Sequence, residues 1–128
     1  MPAHKPEECD LLVTKAIESG DLDAAVDLYE PDASFVVSPG ELVTGLAAIR
    51  EFLQGVIAAG ATFELESVTA VPNGDGSMAV TRAKGSATSP DPDGNPVTTS
   101  FHSVEVVRKQ PDGSWLFVID DPSGEGLG

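Results

Sequence analysis

His102 and Asp120 are the two residues whose types and positions best fit proton-transfer chemistry. Residues 110–113 form a predicted hairpin turn, and counting back from it sets His102 opposite Asp120 or Asp121 on the next strand. Alternation of side chains along that strand favours Asp120. A carboxylate beside an imidazole can fix its tautomer and stabilise its charged form. The sequence therefore predicts His102 and Asp120 as a general acid/base pair, with Asp121 as the second candidate carboxylate.

Each of these residues also fits a structural role. A histidine on a strand beside Val104 and Val106 is commonly a hydrogen-bonded core residue. The two aspartates stand directly before a proline, which is equally typical of a strand end. Tyr29 is a further candidate because its hydroxyl would lie near the rim of a site, yet packing between helix and sheet explains it as well. Both interpretations stay open at the level of the sequence.

The elements that must position these side chains begin with three predicted helices. Apolar residues at helical spacing indicate helices over residues 6–19, 22–29 and 46–59. Asp21 is the predicted N-cap of the second helix. A short apolar run at residues 35–37 indicates a brief strand between the second and third helices.

After residue 60 the hydrophobic period changes from that of a helix to that of a strand. Turn-forming residues divide this half into four predicted strands, at 61–71, 77–88, 96–109 and 114–121. Helices followed by a meander of strands predict an α+β fold, with three amino-terminal helices packed on one curved antiparallel sheet. We find no linker or internal repeat, so the sequence predicts a single domain.

The last predicted strand is apolar on both faces. One face carries Leu116, Val118 and Asp120, and the other carries Trp115, Phe117 and Ile119. We expect the first set to face the binding pocket. The second set then needs another cover, because large exposed apolar patches are uncommon on monomers. A second copy of the chain is the simplest cover, so a homodimer through the outer sheet face is predicted.

Charge and cysteine content limit the partners and the compartment. The sequence has 7 Lys and Arg against 21 Asp and Glu, a formal net charge of −14. Such a surface repels phosphate backbones and anionic lipid, which argues against nucleic-acid and membrane partners. Cys9 is the single cysteine, so no internal disulfide can form, and residues 1–10 carry no signal-peptide pattern. We expect a cytoplasmic protein.

Metal and cofactor motifs are weak. His4, Cys9 and His102 lack ligand spacing, so a metal site is not expected. Residues 91–95 faintly resemble a calcium loop, but the distal glutamate is missing and turn chemistry explains them. The glycines at 74 and 76 lie between two strands rather than before a helix, unlike a phosphate-binding loop. The sequence therefore predicts no metal and no cofactor.

Several short motifs together resemble one known family. They are Gly20–Ala24, Leu28–Ala33, Gly45 with Ala48–Phe52, and Asp112–Trp115. These motifs, spread over about residues 8–122, resemble the nuclear transport factor 2-like, or SnoaL-like, superfamily of cone-shaped α+β domains. The ending from Trp115 to Pro122 is most similar to the branch described as ketosteroid isomerase homologues. The motifs are caps, turns and packing positions, so they indicate fold more than function.

The resemblance implies a conical pocket between the helices and the sheet. Its walls are then expected to include Val13, Ile17, Phe35, Val37, Phe52, Val104 and Val118. A steroid isomerase reaction is not expected, because residues 36–38 lack that enzyme's carboxylate base and Val13 stands near the position of its tyrosine. The resemblance to SnoaL-type cyclases, which use a pocket aspartate with a nearby histidine, again indicates His102 and Asp120.

Two functions follow as hypotheses. The first is a cofactor-free isomerase, cyclase or dehydratase that acts by acid/base chemistry on a small hydrophobic or polyketide-like molecule. The alternative is a non-catalytic module of the same fold, which binds a ligand in the pocket or assembles as a dimer. The His102–Asp120 pairing favours the enzyme, and the absent isomerase residues favour the binding module.

Overall fold

The computed structural model describes residues 2–127, over which the chain forms three helices and six strands. In order these are α1 (Glu8–Ser19), α2 (Leu22–Val26), β1 (Tyr29–Ser38), β2 (Glu41–Thr44), α3 (Leu46–Ala58), β3 (Thr62–Pro72), β4 (Met78–Pro90), β5 (Pro96–Lys109) and β6 (Trp115–Asp121). The strands form one curved sheet in the order β2-β1-β6-β5-β4-β3. The predicted α+β class, with three helices packed on a curved sheet, is confirmed.

Local sequence signals set the ends of the first two helices. Helix α1 stops at Gly20, whose φ of 75° is left-handed and whose N–H donates to the carbonyls of Ala16 and Ile17. Asp21 then caps α2, because its side chain accepts a hydrogen bond of 3.1 Å from the N–H of Ala24. The predicted N-cap is therefore correct.

Helix α2 is shorter than its apolar spacing predicts, and Tyr29 lies in a strand. Pro31 cannot continue a helix and disfavours the helical conformation of the residue before it. The chain instead pairs with β6, where the N–H of Phe117 donates to the carbonyl of Leu28 at 2.7 Å. This β1–β6 pairing is parallel, so the sheet departs from the purely antiparallel one that was expected.

Strand β2 was not predicted from the sequence. It pairs with β1 in an antiparallel hairpin across the turn at 39–40 and forms one edge of the sheet. Three of its four residues are exposed, so it lacks the buried apolar alternation that identifies a strand in a sequence. The brief strand predicted at 35–37 is the central part of the longer β1.

A β-bulge in β6 decides which side chains of that strand face inward. Val106 of β5 pairs with Ile119, but the next residue, Val107, pairs with Phe117, which leaves Val118 unpaired. An extra residue reverses the alternation of the strand on its far side. Phe117 and Asp120, which plain alternation places on opposite faces, therefore both point to the inner face and are buried.

The outer face of β6 differs from the predicted one. Trp115 and Phe117 were expected to form a dimer interface, but they are 6% and 0% exposed within one chain. Both belong to the core that joins the sheet to the helices. Ile119 alone of the three lies on the outer face, where it is 42% exposed.

Strands β3 and β4 approach each other closely at Gly85. The pairing shifts register between Leu65 and Ser67, and Gly85 lies opposite Leu65. A Cβ atom at Gly85 would collide with the main-chain carbonyl of Glu64. Only glycine therefore fits at this point of β4, where Ala83 and Ala87, two residues away on either side, line the cavity described below.

We predict that Gly85→Ala lowers the free energy of unfolding by about 1–3 kcal/mol, because strand β3 must move to admit the methyl group. Gly55→Ala is the control, since the same methyl group on helix α3 meets nothing within 4 Å. That change should stabilise the protein by about 0.5–1 kcal/mol through helix propensity. Urea denaturation of both variants measures the difference, and equal stabilities would contradict the close approach.

Candidate functional site

A cavity of about 280 Å³ lies between the inner face of the sheet and the helices. Five of the predicted wall residues line it, namely Val13, Ile17, Phe35, Val37 and Phe52. Further apolar side chains complete the wall, among them Leu53, Val56, Phe63, Leu65, Ala83, Ala87, Phe101 and Pro122. Val104 and Val118, which were also expected in the wall, are not part of it.

His102 is not part of the cavity, and its predicted pairing with Asp120 is wrong. The side chain is exposed on the outer face of β5, and its neighbour on β4 is Lys84. Glu105 is the residue that lies opposite Asp120, while Asp121 lies opposite Val104. Next to the turn Lys109 pairs with Trp115 rather than with Ser114, and the bulge in β6 then shifts the register by one more residue.

Which face of β5 points inward was also predicted incorrectly. Alternation correctly separates the side of His102 and Val104 from the side of Ser103 and Glu105. The buried side, however, is the one that carries Ser103, Glu105 and Val107. The face with Val104 and Val106 was expected to be the inner one, but the structure turns these two valines outward and Glu105 inward.

Three carboxyl groups from three elements meet at the polar end of the cavity. Asp10 comes from α1, Glu105 from β5 and Asp120 from β6, and all three line the cavity wall. Their exposed fractions are 6%, 1% and 7%. We call Asp10, Glu105 and Asp120 the carboxyl cluster.

Two hydroxyl groups hold members of the carboxyl cluster in place. The Tyr29 hydroxyl donates to Oδ2 of Asp120 at 2.6 Å, and the Thr81 hydroxyl donates to Oε1 of Glu105 at 2.8 Å. Tyr29 also lines the cavity. Oδ2 of Asp10, in contrast, is buried without a hydrogen-bond partner among the described residues. A buried oxygen of this kind needs a proton donor, either from a neighbouring acid or from a ligand.

Burial and mutual repulsion raise the pKa of every member of the carboxyl cluster. Loss of hydration, followed by the charge of Glu105, raises the pKa of Asp120 from 3.8 to about 8, although the Tyr29 hydrogen bond opposes this. Burial, followed by the charge of Asp10, raises the pKa of Glu105 from 4.5 to about 9. Burial raises the pKa of Asp10 less, from 3.8 to about 6, because its hydrogen bond with Glu105 stabilises the charged form.

Asp10 and Glu105 therefore behave as a pair that shares one proton. The proximity of the two groups raises the pKa of Glu105 and opposes the rise in the pKa of Asp10. Two carboxyl groups so close together cannot both ionise at low cost, so the pair titrates as a unit. Burial also raises the pKa of Tyr29 well above its ordinary value, which keeps its hydroxyl a neutral donor to Asp120.

Asp121 has a structural role beside the site. Its carboxylate accepts hydrogen bonds from the Ser123 hydroxyl at 3.2 Å and from the N–H groups of Gly124 and Gly126 at 3.1 and 2.9 Å. These bonds fold the segment after β6, and Pro122 of that segment lines the cavity. Asp121 thus stabilises a segment of the cavity wall. This agrees with the strand-end role that its position before a proline suggested.

Sequence reasoning missed Asp10 and Glu105, although both leave a signal. Asp10 lies at helical spacing with Val13 and Ile17, so it belongs to the buried stripe of α1. Glu105 is the one charged residue in the run Val104–Val107. A carboxylate on an otherwise apolar face is the pattern that identifies both residues.

Two classes of feature are absent from the part of the chain that the structure covers. Over residues 2–127, no three His, Cys, Asp or Glu side chains are grouped so that they could hold a metal ion. None of the helices in that range has the length and apolar content needed to cross a membrane.

The fold and the cavity agree with one family of domains. The sequence profile of the family described as SnoaL-like domain matches residues 12–117. The chain therefore belongs to the SnoaL-like domain family. No curated protein matches the sequence.

Solved structures place the chain among proteins of the nuclear transport factor 2-like fold. A proposed aromatic ring hydroxylase from Novosphingobium aromaticivorans is 25% identical, with a TM-score of 0.76, over 88% of this chain and 81% of its own. A proposed dehydratase from Streptomyces avermitilis is 19% identical, with a TM-score of 0.74, over 88% of both chains. A proposed ketosteroid isomerase from Shewanella frigidimarina is 14% identical, with a TM-score of 0.76, over 88% of this chain and 90% of its own. The last two similarities establish the fold alone.

The raised pKa values of the carboxyl cluster predict how stability depends on pH. The folded state retains protons on Glu105 and Asp120 that the unfolded chain has already lost near pH 4. The free energy of unfolding should therefore fall as the pH rises, most clearly between about 6 and 9, where exposed carboxylates no longer titrate. Urea denaturation across that range measures the slope.

Two variants test whether the carboxyl cluster causes this fall in the free energy of unfolding with pH. Glu105→Gln keeps a neutral hydrogen-bond donor beside Asp10 at every pH, so its stability should change less between pH 6 and 9. Asp93→Asn removes an exposed carboxylate in the β4–β5 loop and should leave the slope unchanged. A wild-type stability that is flat or rises over this range would contradict the buried, protonated cluster.

Proposed function

We propose that the protein is a cofactor-independent acid/base enzyme of the isomerase, cyclase or dehydratase type, acting on a small hydrophobic molecule. One observation carries the proposal: three buried carboxyl groups, whose pKa values are raised to different extents, line a mainly apolar cavity. Neighbouring acids whose environments separate their pKa values are suited to act as acid and base in one reaction. The dehydratase and ketosteroid isomerase reactions proposed for two of the similar structures belong to this class, whereas the hydroxylase does not.

The order of the pKa values assigns a role to each acid at neutral pH. Asp10, with a pKa of about 6, is mainly ionised and serves as the base. Asp120, with a pKa of about 8, is mainly protonated and serves as the acid. Because the Tyr29 hydroxyl occupies Oδ2, the proton of Asp120 resides on Oδ1, which is the oxygen left for a substrate. Glu105 holds the proton that stabilises Asp10 between reaction cycles.

The apolar wall supports this chemistry in two ways. It removes water from the acids, and that loss of hydration is the largest cause of their raised pKa values. It also offers aromatic and aliphatic surface to a hydrophobic substrate. A base near pKa 6 and an acid near pKa 8 then both work close to neutral pH.

A small β,γ-unsaturated cyclohexenone tests the proposal, because its conversion to the conjugated ketone requires one proton to be removed and one to be returned. We expect the wild type to accelerate this isomerisation, as followed by the ultraviolet absorbance of the product. Asp10→Asn and Asp120→Asn should each lower the rate by about 10²-fold or more.

His102→Ala is the matched control, since His102 is exposed on the outer face and should leave the rate unchanged. A rate that falls in His102→Ala but not in Asp120→Asn would contradict the assignment of the site. If the ketone binds and reacts no faster than in buffer, the non-catalytic binding function replaces the enzyme.

Exposed aliphatic side chains on the outer face of the sheet favour a homodimer. The homodimer stays a prediction, and so does the cytoplasmic location. Strand pairing aligns Val71, Val80, Val106 and Ile119 in one row across four strands. Val71, Val80 and Ile119 are 68%, 38% and 42% exposed. A continuous aliphatic row on a sheet face is suited to cover by a second copy of itself.

Light scattering should therefore give about twice the chain mass of 13.2 kDa at micromolar concentration. Ile119→Lys places a charge within the aliphatic row and should shift the protein to the monomer. Leu11→Lys, at a comparably exposed residue on α1, should leave the dimer intact. A monomeric wild type, or an equal effect of both changes, would contradict an interface on the outer face.

A further inference from the structure

The ionisable groups of the cavity are all acids. The carboxyl cluster and Tyr29 lie in its wall, and over residues 2–127 no Lys, Arg or His side chain joins them. All seven Lys and Arg residues and both His residues in that range are exposed at the surface. The protein itself therefore supplies no counter-charge to an ionised acid in the cavity.

Asp10 is the acid that most needs such a counter-charge. Its side chain is 6% exposed, lines the cavity, and has a buried Oδ2 without a hydrogen-bond partner among the described residues. Glu105 is the neighbour that can donate to it, and a proton-sharing pair of carboxyl groups still carries one net negative charge. An uncompensated buried charge is costly, so a ligand that brings one positive charge removes this cost.

The rest of the wall is also suited to a cation with an apolar body. Five aromatic rings line the cavity, those of Tyr29, Phe35, Phe52, Phe63 and Phe101. Three of them form a continuous row, with 5.9 Å between the ring centroids of Tyr29 and Phe35 and 5.0 Å between those of Phe35 and Phe52. Aromatic faces attract ammonium groups as well as apolar groups.

We propose that the cavity binds a hydrophobic amine, with the protonated nitrogen at Asp10 and the apolar body against the aromatic wall. This inference names a ligand class of the same cavity, and it rests on the proposed function only in taking that cavity as the substrate site; an ammonium group at Asp10 occupies the proposed base, so the amine is a ligand that blocks turnover. The shared chemistry is a single ammonium group on a molecule that fits about 280 Å³.

Three probes of one shape test the charge preference directly, namely phenylbutylamine, phenylbutanol and phenylbutyrate. Isothermal titration calorimetry at pH 7 and moderate salt should show that the amine binds about tenfold or more tightly than the alcohol, and that the carboxylate does not bind. An alcohol that binds as tightly as the amine, or a carboxylate that binds at all, overturns the proposal.

Two variants separate a site from general attraction to an acidic protein. Asp10→Asn should reduce amine affinity to about that of the alcohol and leave alcohol affinity unchanged, which also reports that the cavity is still folded. Asp93→Asn removes one exposed charge of the same sign and should leave amine affinity unchanged. An equal loss in both variants overturns the proposal, because it indicates non-specific electrostatic binding.

The same probes distinguish this inference from the proposed enzyme. Phenylbutylamine should inhibit isomerisation of the cyclohexenone competitively, since both occupy one cavity. Turnover of the ketone without amine preference overturns the amine site and leaves the acid/base function intact. Amine preference without turnover supports the amine site and overturns the enzyme.

Discussion

The fold surrounds a group of like charges that has no counter-ion. Asp10, Glu105 and Asp120 lie in one apolar cavity, and at low dielectric three negative charges there would repel one another strongly. Protonation resolves the conflict, because Glu105 and Asp120 stay neutral at pH values where exposed acids are ionised. The hydroxyls of Tyr29 and Thr81 then fix the orientation of the acids without adding charge. Proton sharing is thus the interaction on which both the site and its stability depend.

Irregular strand pairing brings these groups together. The bulge at Val118 turns Asp120 to the same face as Phe117, and the parallel pairing of β1 with β6 sets Tyr29 beside Phe117. The two rings lie 4.9 Å apart, and from this position the Tyr29 hydroxyl reaches Asp120. In a regular β6 the carboxylate of Asp120 would face outward, and its hydrogen bond with Tyr29 could not form. The deviation from ideal geometry is therefore what creates the site.

Periodicity and turn chemistry were sufficient to predict the fold, but not the site. Helices α1 and α3 and the four long strands follow from apolar spacing and from the turns, because these features depend on local sequence. The register between β5 and β6 depends on a bulge in β6 that leaves no mark in the sequence, so the inner face of β5 could not be inferred from its partner strand. His102 was consequently placed inside and Glu105 outside. Asp120 was identified, but its true partners are Tyr29 and Glu105.

The net charge of −14 and the buried cluster have the same sign but act over different distances. Most acids are exposed, and at physiological ionic strength their field is screened within about 8 Å. Such a field attracts cations in general and increases their rate of encounter, without regard to their shape. Inside the cavity there is little water to screen Asp10, so its charge acts on whatever ligand the aromatic wall admits. Selection of the proposed ligand would therefore depend on the few buried acids, whereas the many exposed ones contribute solubility and helix capping.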